Sequence, residues 1–321
     1  LFVIEGHDRE SLRRELERLA RHAARQDGRH ESLDTVARSW HHRHPPDRSK
    51  TQAVAVLTEN LASLAHWTAE ARAAVATGTA HRFGADDGLC YTPSPAGPGE
   101  LAFVYPGYGS HYIGMGREVG LHWPEVLRRM DAGTARLKSQ CRPEVFLPQR
   151  ASWEPGWEED AGAWLDTDPL NPIFGQVVFG GMMTELMHHF NVTPQAVIGY
   201  SLGESTALFA MKVWPDRDQM LDRMLGSDLF KTGLAGPCLA LRRAWGLRPE
   251  DVFEWRVSVL NRPADAVRTH LQNFPQARLL IVNTPEECLV GGNREQVDAL
   301  IGQLACQAVD LKNSLTVHHA L

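Results

Sequence analysis

The chain has 321 residues, of which 43% are hydrophobic and 22% charged, as in a globular protein of two or three subdomains. Its net charge of −6 argues against non-specific binding to nucleic acid or to an anionic membrane surface. No apolar run approaches the ~20 residues that cross a bilayer. The five cysteines are dispersed without a CxxC pair, which predicts reduced thiols and a cytoplasmic location.

Residues 1–95 predict a small α/β domain. Its predicted elements are, in chain order, a strand at 1–5, helices at 11–22 and 32–38, a strand at 52–57 and a helix at 58–77. His41, His42 and His44 precede two prolines, which cannot continue a helix. No cysteine or carboxylate pairs with these histidines at ligand spacing, so we expect a solvated loop and no metal site.

A larger α/β subdomain is predicted for residues 96–250, after a Pro- and Gly-rich linker at 91–99. A buried strand at 101–105 runs through a glycine-containing loop into a helix that begins near Met115. An apolar helix at 171–190 then turns into a second strand, again followed by a loop and a helix. Repeated strand–loop–helix units favour an α/β sheet with a ligand at the carboxyl ends of its strands.

The second of these units carries Gly-x-Ser-x-Gly, centred on Ser201. A β-branched run leads into the motif, and residues 205–210 are typical of a helix start, so the pattern predicts a nucleophile elbow. Glycines two residues before and after the serine permit a tight, strained turn that holds the hydroxyl clear of the sheet. The next backbone N–H lies at the helix N-terminus, where it can stabilise an oxyanion.

Residues 251–312 predict a ferredoxin-like subdomain. The pattern gives a strand at 256–260, a helix at 264–273, strands at 279–283 and 288–291, a helix at 293–304 and a strand at 308–311. Residues 313–321 are expected to return to the large subdomain. Because the chain begins and ends within apolar sequence, we expect it to be a segment of a longer polypeptide.

Three motifs in chain order resemble those of acyl-CoA:acyl-carrier-protein acyltransferase domains. Residues 103–111 with Gly114-Met115-Gly116 resemble the FPGQGSQ and GMG opening, and residues 199–204 resemble the GHSxGE nucleophile motif. Residues 283–285 followed by 289–292 resemble the NxP…VxSG segment. Residues 1–95 resemble the linker between ketosynthase and acyltransferase in modular polyketide synthases. The tyrosine variants are most similar to polyunsaturated fatty acid synthases and related polyketide systems.

The resemblance implies roles for individual residues. Ser201 would take a malonyl or other short acyl group from coenzyme A as an ester, and the N–H groups of Tyr108 and Leu202 would form the oxyanion hole. One register of the C-terminal residues makes His318 the general base, with His319 as second choice. The other register places the catalytic histidine one residue beyond the end of the chain.

The resemblance also implies partners. The acyl group would pass to the phosphopantetheine thiol of an acyl carrier protein, beside a ketosynthase domain of the same or a partner chain. No tightly bound cofactor or metal is expected, and acyl-CoA is the substrate. Neither nucleic acid nor a membrane is an expected partner.

The chain departs from the family pattern at the substrate end. Tyr108 and Tyr200 replace a glutamine and a histidine, which leaves the backbone donors in place. Malonyl-specific members carry an arginine about 25 residues after the serine, which pairs with the malonyl carboxylate. Counting 25 residues from Ser201 without gaps leads to Gly226, and the arginine nearest to that position is Arg223. The predicted substrate-binding residues are therefore Tyr200, Arg223, Asn283 and His319.

An acyl hydrolase or thioesterase and a non-catalytic docking scaffold remain open as alternatives.

Overall fold

The computed structural model describes residues 1–27, 32–47, 49–84, 87–95, 99–248, 250–311 and 315–320. The chain divides into two compact units, Leu1–Gly99 and Glu100–Leu321. The predicted boundary between linker domain and large subdomain was at residue 95. Residues 96–98 of the predicted linker lie outside the described residues, as do residues 313, 314 and 321 of the predicted return segment.

The first unit is the predicted small α/β domain. It contains β1 (Phe2–Gly6), α1 (Arg9–Asp27), α2 (Leu33–Arg43), β2 (Gln52–Val56), α3 (Leu61–Thr77) and β3 (Leu89–Tyr91). The strands form an antiparallel sheet in the order β1-β2-β3. The predicted loop at His41 and His42 is wrong, since both lie in the last turn of α2. That helix continues because Trp40 is buried in the core and His44 stacks on it, which makes the last turn part of the packed structure.

The large subdomain of the second unit is built on two parallel strands, β4 (Ala102–Tyr105) and β5 (Ala196–Gly199). The helices of this subdomain are α4 (Arg117–His122), α5 (Pro124–Asp131), α6 (Leu137–Cys141), α7 (Pro143–Phe146), α8 (Trp157–Asp166), α9 (Leu170–His189), α10 (Leu202–Ala210), α11 (Arg217–Gly226) and α12 (Leu239–Trp245), with a π-helical turn at Leu229–Gly233. Tyr105 pairs with Gly199, so both strands end at the same level. Their carboxyl ends therefore bring the loop after β4 beside the turn after β5.

Helix α9 is the central helix of this subdomain. Its apolar side chains are buried on most sides, including Phe174, Val178, Phe179 and Met182. It packs along α10, and Gly180 allows the close approach because a Cβ there would lie 2.3 Å from Thr206 Cγ2. The helix that follows the turn is thereby held against a buried, apolar support.

The structure has the six elements of the predicted ferredoxin-like arrangement, in the predicted order. It contains β6 (Trp255–Leu260), α13 (Ala264–Leu271), β7 (Ala277–Thr284), β8 (Glu287–Asn293), α14 (Arg294–Leu304) and β9 (Ala308–Asp310). The strand order is β7-β8-β6-β9 and every pair is antiparallel. In order of appearance this is 2-3-1-4, the arrangement of a split βαβ fold. In the part of the chain that is described, no helix is long and apolar enough to cross a membrane.

Candidate active site

Ser201 stands on a sharp turn between β5 and α10. Its backbone has φ 54° and ψ −117°, a combination that is strained for a residue with a side chain. The flanking glycines leave no room for a Cβ. At Gly203 a Cβ would lie 2.1 Å from Tyr105 O, and at Gly199 it would lie 2.3 Å from Glu204 N. The geometry is that of a nucleophile elbow, as the motif predicts.

Replacing Gly203 with alanine should lower the free energy of unfolding by about 3 kcal/mol or more, because the new methyl group meets backbone rather than a movable side chain. Thermal denaturation followed by circular dichroism measures the effect. Gly181→Ala is the matched control. It is a glycine inside α9 with open space around it, and the same substitution there should stabilise by about 0.5–1 kcal/mol. Equal stability of both variants would contradict this account of the turn.

His318 is the histidine that meets the serine. Ser201 Oγ and His318 Nε2 are 2.7 Å apart, across 117 residues of sequence. The buried Thr316 fixes this segment, since its amide and its hydroxyl both donate to Leu234 O, at 3.0 and 2.9 Å. His318 itself has φ 65°, a second strained backbone at the site. A serine and a histidine in this contact can transfer a proton as the serine attacks a carbonyl.

Tyr108 and Leu202, the two predicted oxyanion donors, lie in or beside the same cavity as Ser201. Leu202 is the first residue of α10, so its N–H precedes the helical hydrogen-bond ladder. Tyr108 lies in the loop after β4 and lines the same cavity as Ser201 and Leu202. Within the described residues, neither amide donates to a protein acceptor. Both are available to an oxyanion that forms on a carbonyl bound at Ser201.

Gln176 holds the loop that carries Tyr108, and the sequence analysis missed it. This buried residue of α9 donates from Nε2 to Pro106 O at 2.8 Å and also to Gly107 O. The two carbonyls lie directly before the Tyr108 amide, so the bonds orient that amide. The available signal was a glutamine within the apolar stretch 172–183 of this helix, where an unpaired amide is costly to bury.

Gln176→Leu should lower kcat for acyl transfer between about tenfold and a hundredfold with little change in KM, because a displaced oxyanion donor loses its effect mainly in the transition state. Steady-state kinetics with an acyl-CoA and a carrier protein measure both constants. Thr184→Val is the matched control. Thr184 lies on the same helix as Gln176, and its buried hydroxyl forms a hydrogen bond of 2.7 Å with Tyr105 Oη. This hydroxyl does not contact the loop that carries Tyr108. A kcat loss in the control equal to that in Gln176→Leu would mean that the effect is only structural.

Tyr200 and Asn283 join the large subdomain to the ferredoxin-like sheet. Tyr200 Oη donates to Asn283 Oδ1 at 3.0 Å, and Asn283 Nδ2 donates to Glu287 Oε1 at 2.8 Å. The Tyr200 ring packs so close to Gly107 that a Cβ there would lie 2.7 Å from its Cδ1. Tyr200 lines the cavity, whereas Asn283 is not among the residues that line it. Asn283 therefore reaches the site through Tyr200.

The two remaining predicted binding residues lie apart from the cavity lining. His319 is half-buried beside Trp255, and burial lowers the pKa of its imidazole. Arg223 is exposed on α11, while Met220 and Met224 of the same helix line the cavity. The structure thus brings Ser201, His318, Tyr108, Leu202 and Tyr200 together and leaves Arg223 outside.

A second histidine, His111, contacts the loop that carries Tyr108. His111 Nε2 contacts Asp166 Oδ1 at 2.9 Å, and its ring meets Tyr108 edge to face. Burial raises the pKa of Tyr108 to about 12, and the carboxylates of Asp166 and Asp168 add to the shift. The Tyr108 phenol is therefore neutral near pH 7.

These features define an α/β domain with a serine on a strained turn, a histidine in contact with its hydroxyl, two nearby backbone amides and an inserted ferredoxin-like subdomain. Solved structures with the same architecture are acyltransferase domains. The domain of ZmaA matches with a TM-score of 0.67 at 17% identity, over 98% of this chain and 64% of that one. The domain of SpnD in complex with 2-(pent-4-yn-1-yl)malonyl matches with a TM-score of 0.62 at 20% identity, with the same coverage.

The sequence relatives are proteins of fatty acid and polyketide synthases. The chain is 27% identical over 224 residues to one of the proteins of the polyunsaturated fatty acid synthase of Thraustochytrium sp., covering 68% of this chain and 11% of that protein. It is 26% identical over 212 residues to one of the phenolphthiocerol/phthiocerol polyketide synthase proteins of Mycobacterium tuberculosis, covering 66% and 10%. The chain thus spans about a tenth of the length of these relatives. No protein-family model matches it.

The chain is thus similar in fold to acyltransferase domains and in sequence to proteins of polyketide synthases and of a polyunsaturated fatty acid synthase. The family resemblance and the α/β fold class that the sequence predicts are both confirmed.

Proposed function

We propose that the chain transfers an acyl group from coenzyme A, through an ester of Ser201, to the phosphopantetheine thiol of an acyl carrier protein. The observation that carries this proposal is the contact of 2.7 Å between Ser201 Oγ and His318 Nε2 on a strained elbow, in a cavity that Tyr108 and Leu202 also line. That arrangement suits attack on a thioester carbonyl, because it supplies a nucleophile, a base and oxyanion donors at one point.

The first half-reaction forms the ester. Ser201 Oγ attacks the thioester carbonyl carbon while its proton moves to His318 Nε2. The carbonyl oxygen becomes an oxyanion that accepts from the N–H groups of Tyr108 and Leu202. The C–S bond then breaks, and the coenzyme A thiolate leaves with the proton from His318.

The second half-reaction reverses these steps with a different thiol. His318 takes the proton of the phosphopantetheine thiol, whose sulfur attacks the Ser201 ester. The C–O bond breaks, and Ser201 Oγ recovers its proton from His318. The acyl group is now a thioester of the carrier, and the enzyme is unchanged, as a ping-pong scheme requires.

The partners follow from this proposal. The chain's relatives belong to fatty acid and polyketide synthases, so we propose a carrier protein as acceptor and a ketosynthase domain in the same or a partner chain. All five cysteines are free, which supports a reducing, cytoplasmic location. Acyl-CoA serves as substrate, with no tightly bound cofactor.

Intact-mass measurement after rapid quenching tests the proposal. An acyl-CoA should add one acyl mass to the chain, peptide mapping should place it on Ser201, and addition of holo carrier protein should move it to the carrier. Free acid released without carrier at the same rate as transfer would instead indicate a hydrolase. A chain that binds the carrier but acquires no adduct would be a docking scaffold.

A further inference from the structure

One cavity opens on the catalytic pair. It has a volume of about 650 Å³ and is lined by Ser201 and His318 at one end. An acetyl group fills the space of about two water molecules, on the order of 60 Å³. The cavity therefore leaves room for a longer acyl chain, even with part of a pantetheine arm present.

The walls of this cavity are apolar on both sides. Phe209 of α10 and Met220 and Met224 of α11 form one side, and Val257 and Leu280 of the ferredoxin-like sheet form the other. These side chains come from elements with their own packed cores, so the wall is part of the fold. Apolar walls with a few polar groups at the reacting end are the usual form of a site for an apolar ligand.

No arginine or lysine lines the cavity among the described residues. Arg223 is exposed outside it, and Arg217 at the start of α11 lies near Cys141, with one guanidinium nitrogen buried and unpaired. Lys312 falls between the lining residues Leu311 and Leu315 in sequence but outside the described residues. A carboxylate at the far end of an acyl group would therefore lose water without gaining an ionic partner among the lining residues described.

We infer that Ser201 accepts a medium-length, apolar monocarboxylic acyl chain rather than a malonyl-type dicarboxylic one. This inference rests on the proposed acyl transfer and specifies its substrate class. Each additional methylene that enters the apolar part of the cavity should favour loading, whereas a second carboxylate should oppose it.

A series of CoA thioesters tests the inference by the rate of Ser201 adduct formation. From acetyl through butanoyl and hexanoyl to octanoyl, kcat/KM for loading should rise by roughly fourfold per methylene, equivalent to about 0.8 kcal/mol. Malonyl-CoA should load more slowly than acetyl-CoA, which has the same chain without the second carboxylate, and therefore more than about a thousandfold more slowly than octanoyl-CoA. Loading of malonyl-CoA faster than that of acetyl-CoA would overturn the inference and leave the proposed acyl transfer intact. Absence of every adduct would overturn both.

Filling the cavity should reverse the chain-length preference. Met220→Trp should lower octanoyl loading at least about tenfold relative to acetyl loading, since the indole occupies the space of the distal methylenes. Leu225→Trp is the matched control, on an exposed position of the same helix outside the cavity, and should keep the parent's octanoyl-to-acetyl ratio. A Met220→Trp protein that unfolds leaves the wild-type series as the deciding measurement. An unchanged ratio in a folded Met220→Trp would contradict the inference.

The last test removes, one at a time, three basic side chains that could pair with a malonyl carboxylate. Arg217→Met and Arg223→Met should each leave the malonyl-to-octanoyl ratio within about twofold of the parent, because neither side chain lines the cavity. The inference predicts the same result for Lys312→Met. A parent that prefers malonyl, together with one variant that loses that preference, would identify the carboxylate's partner. That outcome would overturn the inference.

Discussion

Ser201→Ala should form no acyl adduct and should lower acyl transfer to the carrier by roughly four to six orders of magnitude. The reason is that every acyl group transferred in the proposed reaction passes through the Ser201 ester. The hydroxyl that His318 contacts, at 2.7 Å, is that of Ser201. Rapid-quench intact mass with octanoyl-CoA measures the adduct, and carrier acylation measures the transfer. Labelling of the alanine variant at a rate near that of the parent would mean that the nucleophile lies elsewhere.

Ser201→Gly separates this chemical loss from a loss of fold. It removes the hydroxyl as alanine does, but glycine adopts φ 54° without the penalty that a Cβ brings. We therefore expect equal inactivity and a free energy of unfolding that is about 1–2 kcal/mol higher for the glycine variant than for the alanine variant. The same stability in both would show that the turn is not strained.

The parts of the fold that were predictable from sequence are those that local patterns determine. The strand, turn and helix around Ser201 were readable from the local motif, in which Gly199 avoids a contact with the backbone of Glu204. The structure adds that Gly203 avoids a contact with Tyr105 of the neighbouring strand. The ferredoxin-like region was similarly readable, with six elements in the predicted order and ends shifted by a few residues. Such ends depend on the last hydrogen bonds of an element, which the pattern of apolar residues does not specify.

What the sequence could not provide was the direction of individual side chains in the folded protein. Counting from Ser201 brings Arg223 close to the expected position, but α11 turns Met220 and Met224 to the cavity and leaves Arg223 exposed. A shift of one residue rotates a side chain by about 100° around a helix, so a count along the chain does not establish its direction. Gln176 was missed for a related reason. Its partners are carbonyls about 70 residues earlier, and only the packing of α9 against that loop reveals them.

The choice between His318 and His319 also depended on three-dimensional structure. One sequence register favoured His318, with His319 as second choice, and the other register placed the base one residue beyond the end of the chain. The backbone separates them: with Thr316 held against Leu234, the left-handed φ of His318 directs its ring to Ser201, while His319 packs beside Trp255. The pair of adjacent histidines therefore has one member at the nucleophile and one in a packing contact.

His318→Asn should lower the rate of Ser201 loading by about two to four orders of magnitude, the usual contribution of a general base. Asparagine is the informative replacement because it tolerates φ 65°, as histidine does, but cannot accept the serine proton at neutral pH. Single-turnover loading with octanoyl-CoA measures the change. His319→Asn, in the neighbouring position, should lose less than about tenfold, since its ring does not contact Ser201.

Added imidazole should restore part of the His318→Asn activity. His318 is exposed at the mouth of a cavity, so a free imidazole can reach the space that its ring leaves and accept the proton of Ser201 in its place. The same addition should not help Ser201→Ala, which lacks the nucleophile. A His319→Asn protein that loses more than His318→Asn and is the one rescued by imidazole would assign the base to His319. Rescue confined to His318→Asn would instead tie the proton transfer to the contact between Ser201 and His318.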